Sequence, residues 1–426
     1  MREMKDSGTL WLRSIPTSWT LSRIGSLYSV RNEKVSDKDF APLSVTMRGI
    51  VPQLATAAKS DDGDNRKLVR KGDFAINSRS DRRGSCGISD YTGSVSLINT
   101  VLTPRKNMHP GYYNWLFHTT EFADEFYRYG HGIVDDLWTT RWQEMKSILV
   151  PVPDINEQSR IAAYLDRRCA TIDALIANQQ QQIDKLKQYK QAVITEAVTR
   201  GLDPNVRLKD SGNRRIGMIP HHWQLNRTKT FIQNVSSGLS AITSNESGEL
   251  CGKYVLRTSS VSSGFLKIEE RKPVFWNAED RLICPVERNT IIMSRMNTAS
   301  MVGYCAYVDK DYLDTYLPDK LWKIKLRSGM HPKYLWYLVN APVSHCYFAS
   351  LATGTSASML NISMEDFQAL EIAVPPSDEQ KAIIHYLDTK CAQIDALIAL
   401  KQQKADKLAQ YKKSLIYEVV TGKREV

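Results

Sequence analysis

The sequence predicts an α+β protein with a pseudo-twofold internal repeat, in which two mixed domains are separated by two long helices paired as an antiparallel coiled coil. Three observations predict it. Residues 151–199 lie over residues 373–421 at a constant offset of 222 without a gap, and 28 of the 49 paired positions are identical. Neither copy holds Gly or Pro beyond its opening Pro153 or Pro375-Pro376. Each can therefore run as one helix of some 42 residues, about 63 Å at ~1.5 Å per residue. Further landmarks recur in the same order outside these stretches, so the duplication covers whole domains.

The apolar period says what the helices do. In the first copy a 3-4 spacing passes through Leu165, Ile172, Ile176 and Leu186, and in the second through Leu387, Ile394, Ile398 and Leu408. Polar breaks fall at matching places, among them Lys190 and Lys412, while Cys169 and Cys391 sit in the stripe as small hydrophobes. This is a coiled-coil seam with register-setting interruptions, since ordinary core helices run to roughly 20 residues. Asp154 or Asn156 can cap the first helix, and Ser377 with Gln380 forms a capping box for the second.

The rest of the chain follows in order. Lys5-Asp6-Ser7-Gly8 and Ile15-Pro16-Thr17-Ser18-Trp19 near the start return as Lys209-Asp210-Ser211-Gly212 and Ile219-Pro220-His221-His222-Trp223 after the first helix. Ser78-Arg79 with Gly87 matches Ser294-Arg295 with Gly303, and Met108-His109-Pro110 matches Met330-His331-Pro332. The division is residues 1–153, first domain; 154–202, first helix; 203–375, second domain; 376–426, second helix. Within the domains, runs such as Phe74-Ala75-Ile76-Asn77 and Thr290-Ile291-Ile292-Met293-Ser294 read as strands, and the stretches at 112–127 and 332–338 as helices. No strand, Gly-rich turn and helix unit recurs, which excludes a doubly wound sheet. For the seams to meet, the second helix must run back antiparallel and return the chain to the first domain.

Composition narrows the function. Over 426 residues, 42% are hydrophobic and the formal charge is +11, which favours a polyanionic partner. No apolar run approaches 18 residues, so no membrane is expected. The opening residues lack the apolar core of a signal peptide, and seven cysteines without a C-x-x-C pair suit a reduced, cytoplasmic protein.

Candidate DNA-contacting residues come from basic loops at predicted strand ends. In the first domain these are Arg48, Lys67, Arg70 and the loop carrying Arg79, Arg82 and Arg83. In the second they are Arg257 with Ser259, and Arg295 with Asn297 and Thr298. Arginine bidentate to guanine, with Asn, Ser or Thr on other base edges, is the chemistry of direct readout, whereas lysine more often holds phosphate. The alternative for each cluster is a solvated surface loop; the Ser-Arg pair at equivalent places in both copies weighs towards function. Gly130-His131-Gly132 and Gly354-Thr355-Ser356 could be close-approach loops or simple turns. Catalytic chemistry finds no residues. A methyltransferase cofactor loop and an Asn/Asp-Pro-Pro-Tyr/Phe motif are missing, Gly248 to Lys253 is one residue short of a phosphate loop, and His221-His222 reads as structural. Neither a catalytic site nor a metal site is expected.

The order of Ile-Pro-x-x-Trp, a Glu-Gln helix start and Ile-Asp-Ala-Leu-Ile, each occurring twice, resembles the specificity subunits of type I restriction-modification systems over essentially the whole chain. The resemblance implies two target-recognition domains, each reading half of a split double-stranded DNA site. It also implies that the two helices dock two methyltransferase subunits, which use S-adenosylmethionine to methylate adenine, and that endonuclease-translocase subunits join for restriction. On that reading this chain has no cofactor of its own. The alternative is a structural coiled-coil adaptor whose two heads bind proteins.

Overall fold

The computed structural model describes residues 2–54, 63–79, 82–105, 108–133, 138–239, 250–275, 279–280, 282–298, 301–354 and 360–426. The chain divides into two compact units. Unit 1 comprises residues 1–181 and 401–426, and unit 2 comprises residues 182–400. The closing stretch thus belongs with the first head, as the antiparallel course of the helices requires.

Each head is built on one antiparallel four-stranded sheet. In unit 1 the strands β1 (Tyr28–Val30), β2 (Phe74–Asn77), β3 (Cys86–Ile88) and β4 (Asn99–Pro104) lie in the order β3-β2-β4-β1. In unit 2 the strands β5 (Ile232–Ser237), β6 (Thr290–Ser294), β7 (Cys305–Val308) and β8 (Leu321–Leu326) lie in the matching order β7-β6-β8-β5. The central strands read as unbroken apolar runs because both of their faces are covered. Phe74 and Ile76 of β2 face a core shared with the helices α1 (Pro110–Phe117) and α2 (Thr120–Arg128). Ala75 points the other way, to Leu43, Ile50 and Val69. In unit 2, Ile291 and Met293 join the helix-side core while Ile292 joins Val261 and Leu321 behind the sheet.

The two long helices are continuous. The helix α3 spans Ile155–Arg200, and α6 spans Ser377–Val420; between them in sequence lie α4 (Pro332–Val339) and α5 (Pro342–Leu351) of the second head. Asp154 caps α3, its Oδ1 accepting from the backbone N–H of Asn156 at 3.0 Å and of Glu157 at 2.9 Å. The capping box expected of Ser377 and Gln380 is replaced. The Gln380 amide donates to the carbonyls of Pro375 and Gly329 and accepts the His331 N–H at 2.8 Å, so its side chain ties the helix to the head. Gln158 does the same in unit 1, with Pro153 and His109.

Both heads grip the helices with the same residues. The Trp19 indole donates to Glu157 at 2.8 Å, and the Trp223 indole donates to Glu379 at 2.6 Å. Tyr112, 222 positions before Tyr334, donates to the Val420 carbonyl at the end of α6, and Tyr334 donates to the Val198 carbonyl near the end of α3. Each head thus holds the start of one long helix and the end of the other. Gly201 and Gly422, at positive φ, turn the chain off those helix ends against Trp223 and Trp19, where a side chain would be strained.

All eight seam positions named from the sequence are buried or half-buried. Leu165 and Ile172 pack with Leu415 and Val419 in unit 1, and Val193 and Ala197 with Ile384 and Leu387 in unit 2. The lysine breaks find carboxylates within their own units. Lys412 reaches Asp173 at 2.6 and 2.7 Å, and Lys190 reaches Asp395 at 2.7 and 2.8 Å. Each pair is the image of the other under the 222-residue offset, and both fix an antiparallel course.

Burial predicts unequal consequences for the two tryptophans. The Glu157 side chain is 9% exposed and also pairs with Arg2, whereas that of Glu379 is 42% exposed and also pairs with His222. Trp19→Phe is expected to cost about 1–3 kcal/mol, with Trp223→Phe at the lower end, because a buried acceptor left short of a donor keeps its desolvation cost. Urea denaturation of the two variants beside the parent checks the order; equal losses would remove the argument from burial.

Candidate nucleic-acid interface

The two Ser-Arg pairs occupy equivalent places, at the ends of β2 and β6. Ser78 lies against Thr100, their hydroxyl oxygens 3.0 Å apart, and Ser294 donates to the Met296 carbonyl at 3.0 Å, so buried serines anchor the segments from which the arginines leave. In each head this segment meets a second one that the sequence leaves unconnected to it. Arg79 bridges to Thr139, which also bridges to His131, beside Gly130 and Gly132. In unit 2 Met296 pairs with Asn361, which bridges to Thr353. Thr139 and Asn361 stand at the same 222-residue offset as the helices, as do His131 and Thr353. The loop glycines and the arginine strands are therefore one construction in each head. Ser80 and Asp81 of the first loop, Thr355 and Ser356 of the second, and Gly248 lie outside the described residues.

Around Arg79 the first head is braced by aromatic stacking. The Arg83 guanidinium lies 3.7 Å from the Tyr127 ring centre, and Tyr127 stacks on Trp138 with centroids 5.3 Å apart. Arg83 also reaches Asp124 at 3.3 Å and stays 47% exposed. Gly130 is needed here, since a Cβ would fall 2.5 Å from the Trp138 indole nitrogen. Arg79 and Arg82 are exposed. Arg48 is exposed at the tip of the hairpin of Leu43–Thr46 and Gly49–Pro52. That hairpin lies on β3, where Gly87 leaves room for the backbone of Gly49. Lys67 turns inward; its ammonium donates to the Asn99 carbonyl at 2.7 Å, and burial lowers its pKa. Arg70 is exposed beside Glu33 at 3.5 Å.

In the second head the predicted residues divide between two sheets. Arg257 and Ser259 are exposed in a turn following the strand Leu250–Leu256, behind the main sheet. A hydrogen bond from Ser259 holds the Glu270 carboxyl below its ordinary pKa. Arg295, Asn297 and Thr298 follow β6 and are half-buried. The Asn297 side-chain oxygen accepts the Thr298 N–H at 2.9 Å, shaping the turn. The Arg295 Nε is buried and has no acceptor among the described residues. Such a donor needs a partner that the described residues do not supply. Tyr127, Trp138, Thr139 and Asn361 are additions of the structure; the 222-residue offset could have singled out the last two.

The architecture is that of a duplicated two-headed protein with a basic segment at one equivalent sheet end of each head. Residues 254–410 match the family described as the type I restriction modification DNA specificity domain. The EcoKI specificity subunit of Escherichia coli strain K12 is 25% identical over 254 residues, 59% of this chain and 52% of that protein. The chain thus spans about half the length of that relative, and the match to the Escherichia coli EcoEI specificity subunit covers 32% of its length. The putative MjaX specificity subunit of Methanocaldococcus jannaschii is 24% identical over all of this chain and 93% of its own. Among solved structures, a chain from a type I restriction-modification complex superposes with a TM-score of 0.71 at 15% identity, covering 95% of this chain and 98% of that one. The HsdS subunit of Thermoanaerobacter tengcongensis gives 0.50 at 16% identity over 98% and 99%. The chain is thus similar in sequence, most clearly over residues 254–410, and in fold over nearly its whole length to specificity subunits of type I restriction-modification systems.

Bracing and exposure separate two arginines of the same loop. Arg83→Ala is expected to cost about 0.5–1 kcal/mol of stability by releasing the ring stack. Arg79→Ala, exposed and outside the stack, should stay within about 0.5 kcal/mol of the parent. Chemical denaturation of both variants checks this.

Proposed function

We propose that this chain is the DNA sequence-recognition subunit of a type I restriction-modification complex and catalyses no reaction itself. Residues 1–153 and 203–375 act as two target-recognition domains, each reading half of a bipartite double-stranded site. Residues 154–202 and 376–426 are the spacer helices, on which two methyltransferase subunits dock. S-adenosylmethionine belongs to those subunits, which methylate adenine, and endonuclease-translocase subunits join for cleavage. The complex works in the cytoplasm; among the described residues no helix is long and apolar enough to cross a membrane.

The observation that carries this reading is the Ser-Arg segment at the same strand end of both heads, with the buried Arg295 Nε of the second lacking an acceptor among the described residues. A guanidinium in such a place suits bidentate contact with a guanine edge or a phosphate. The surplus of +11 supports a polyanionic partner. Arg82, Arg83 and Arg48 extend the basic surface of the first head, and Asn297 and Thr298 add polar groups beside Arg295. Arg70 in the first head, and Arg257 and Ser259 in the second, are assigned to phosphate contacts at the margins, whereas Lys67, turned onto the Asn99 carbonyl, is not.

The test is motif mapping in cells carrying the chain with its methyltransferase subunit. Arg79→Ala should relax one half of the methylated site and Arg295→Ala the other, each costing about 1–3 kcal/mol of discrimination if the residue reads a base. Relaxation of both halves by one substitution would contradict independent heads. A uniform loss across all sequences would move that arginine to a phosphate.

A further inference from the structure

The second head carries an open groove of about 590 Å³ outside the segments already discussed. It runs along the edge strand β5 and includes Lys229, Gln233, Asn234, Trp322 and Arg327 in its walls. No carboxylate lines it. Lys229 and Arg327 are exposed and have no ion pair among the described residues.

The strand itself is unusual. Its pairing with β8 shifts register between Ile232 and Asn234, so Gln233 is an extra residue in a β-bulge. In a regular strand successive side chains point to opposite faces; the bulge re-aims them, and here both Gln233 and Asn234 are exposed and line one groove. The equivalent edge strand of the first head, β1, pairs with β4 in unbroken register. Arg105, the counterpart of Arg327 at the 222-residue offset, is exposed and turns its Nε to the Tyr28 carbonyl at 3.4 Å. The bulge is thus peculiar to the second head.

The groove also adjoins the Arg295 segment. Ser237 pairs with Trp322, which pairs with Met293, and Leu321 pairs with Ser294. Met364, another wall residue, stands two positions after Ile362, whose N–H donates to the Arg295 carbonyl at 3.0 Å. At the far end, Arg327 donates its backbone N–H to Phe231. A six-residue strand covers roughly 20 Å at ~3.3 Å per residue, about the rise of six base pairs.

We propose that this groove is a second DNA-reading element of the second head, in which Gln233 and Asn234 read an adenine edge while Lys229 and Arg327 hold phosphate at its far end. It rests on the DNA-recognition reading above. Paired amide side chains offer a donor and an acceptor to adenine N7 and N6, a pattern no other base edge presents in the major groove. Two cations gathered beyond Ile232, at one end of the neutral amides, suit a phosphate beside the base being read.

The test uses the full chain with its methyltransferase subunits, with the methylated motif mapped by sequencing and duplex binding followed by fluorescence anisotropy over a salt series. Gln233→Ala and Asn234→Ala should each lower discrimination roughly tenfold at one adenine position of the second half-site and leave the first half-site unchanged. Lys229→Gln and Arg327→Gln should weaken all duplexes alike and reduce the slope of log affinity against log salt by about one each. These side chains are exposed, and unchanged thermal unfolding confirms that each variant is folded. Parental motif, affinity and salt slope in all four variants would overturn the groove, while the DNA reading would stand if Arg295→Ala still relaxes the second half-site. Uniform weakening by Gln233→Ala and Asn234→Ala, with no change of sequence preference, would overturn base reading at those residues. Failure of the parental complex to prefer any sequence would overturn the underlying reading instead.

Discussion

A tryptophan indole donating to a glutamate at the first turn of a long helix is the contact on which the rest of this structure depends. It occurs twice, Trp19 to Glu157 and Trp223 to Glu379. It explains why Ile-Pro-x-x-Trp and Glu-Gln recur together in the sequence although well over a hundred residues separate them. The glutamine beside each glutamate takes a backbone N–H from the head at His109 or His331, and a tyrosine of the same head caps the end of the other helix. Burial pushes the pKa of Tyr112 and Tyr334 well above the ordinary tyrosine value, so both remain hydroxyl donors. One set of side chains therefore fixes where one helix begins and where the other ends.

Apolar burial, rather than charge, holds the helices together. The lysine–aspartate pairs have geometry close to ideal, but Asp173 is 56% and Asp395 51% exposed on their side chains. Pairs so open to solvent contribute about 0–1 kcal/mol each. A single fully buried leucine such as Leu165 or Leu387 contributes about 1.5–3 kcal/mol. The pairs favour antiparallel over parallel alignment, because only the antiparallel course brings each lysine to the aspartate of the other helix.

On this shared frame the heads diverge where a ligand would meet them. Both end a buried central strand in Ser-Arg and close it with a residue at the common offset, Thr139 or Asn361. The first head then stiffens its loop with the Arg83, Tyr127 and Trp138 stack. The second head bends its edge strand with a bulge. A conserved sheet with differing loop ends is how one scaffold comes to present two surfaces.

Periodicity, duplication and punctuation determined the long helices, their seam, the two α+β heads and the antiparallel return of the chain, because these follow from local spacing and from a repeat that needs no coordinates to be seen. The same signals located the Ser-Arg segments, since both copies retain them at strand ends. Spacing could not show which cations face outward. Lys67 reads like Arg79 in sequence, yet its ammonium lies on the Asn99 carbonyl inside the fold. Nor could it show that Gln380 leaves its capping box for the head, or that Gly130 lies under Trp138. These outcomes depend on partners far away in the chain, and hydrogen bonding and packing choose among such partners only when the tertiary fold brings them within a few ångströms. The bulge at Gln233 is of the same kind, for it exists only in the register of β5 against β8, which a strand's own residues do not set.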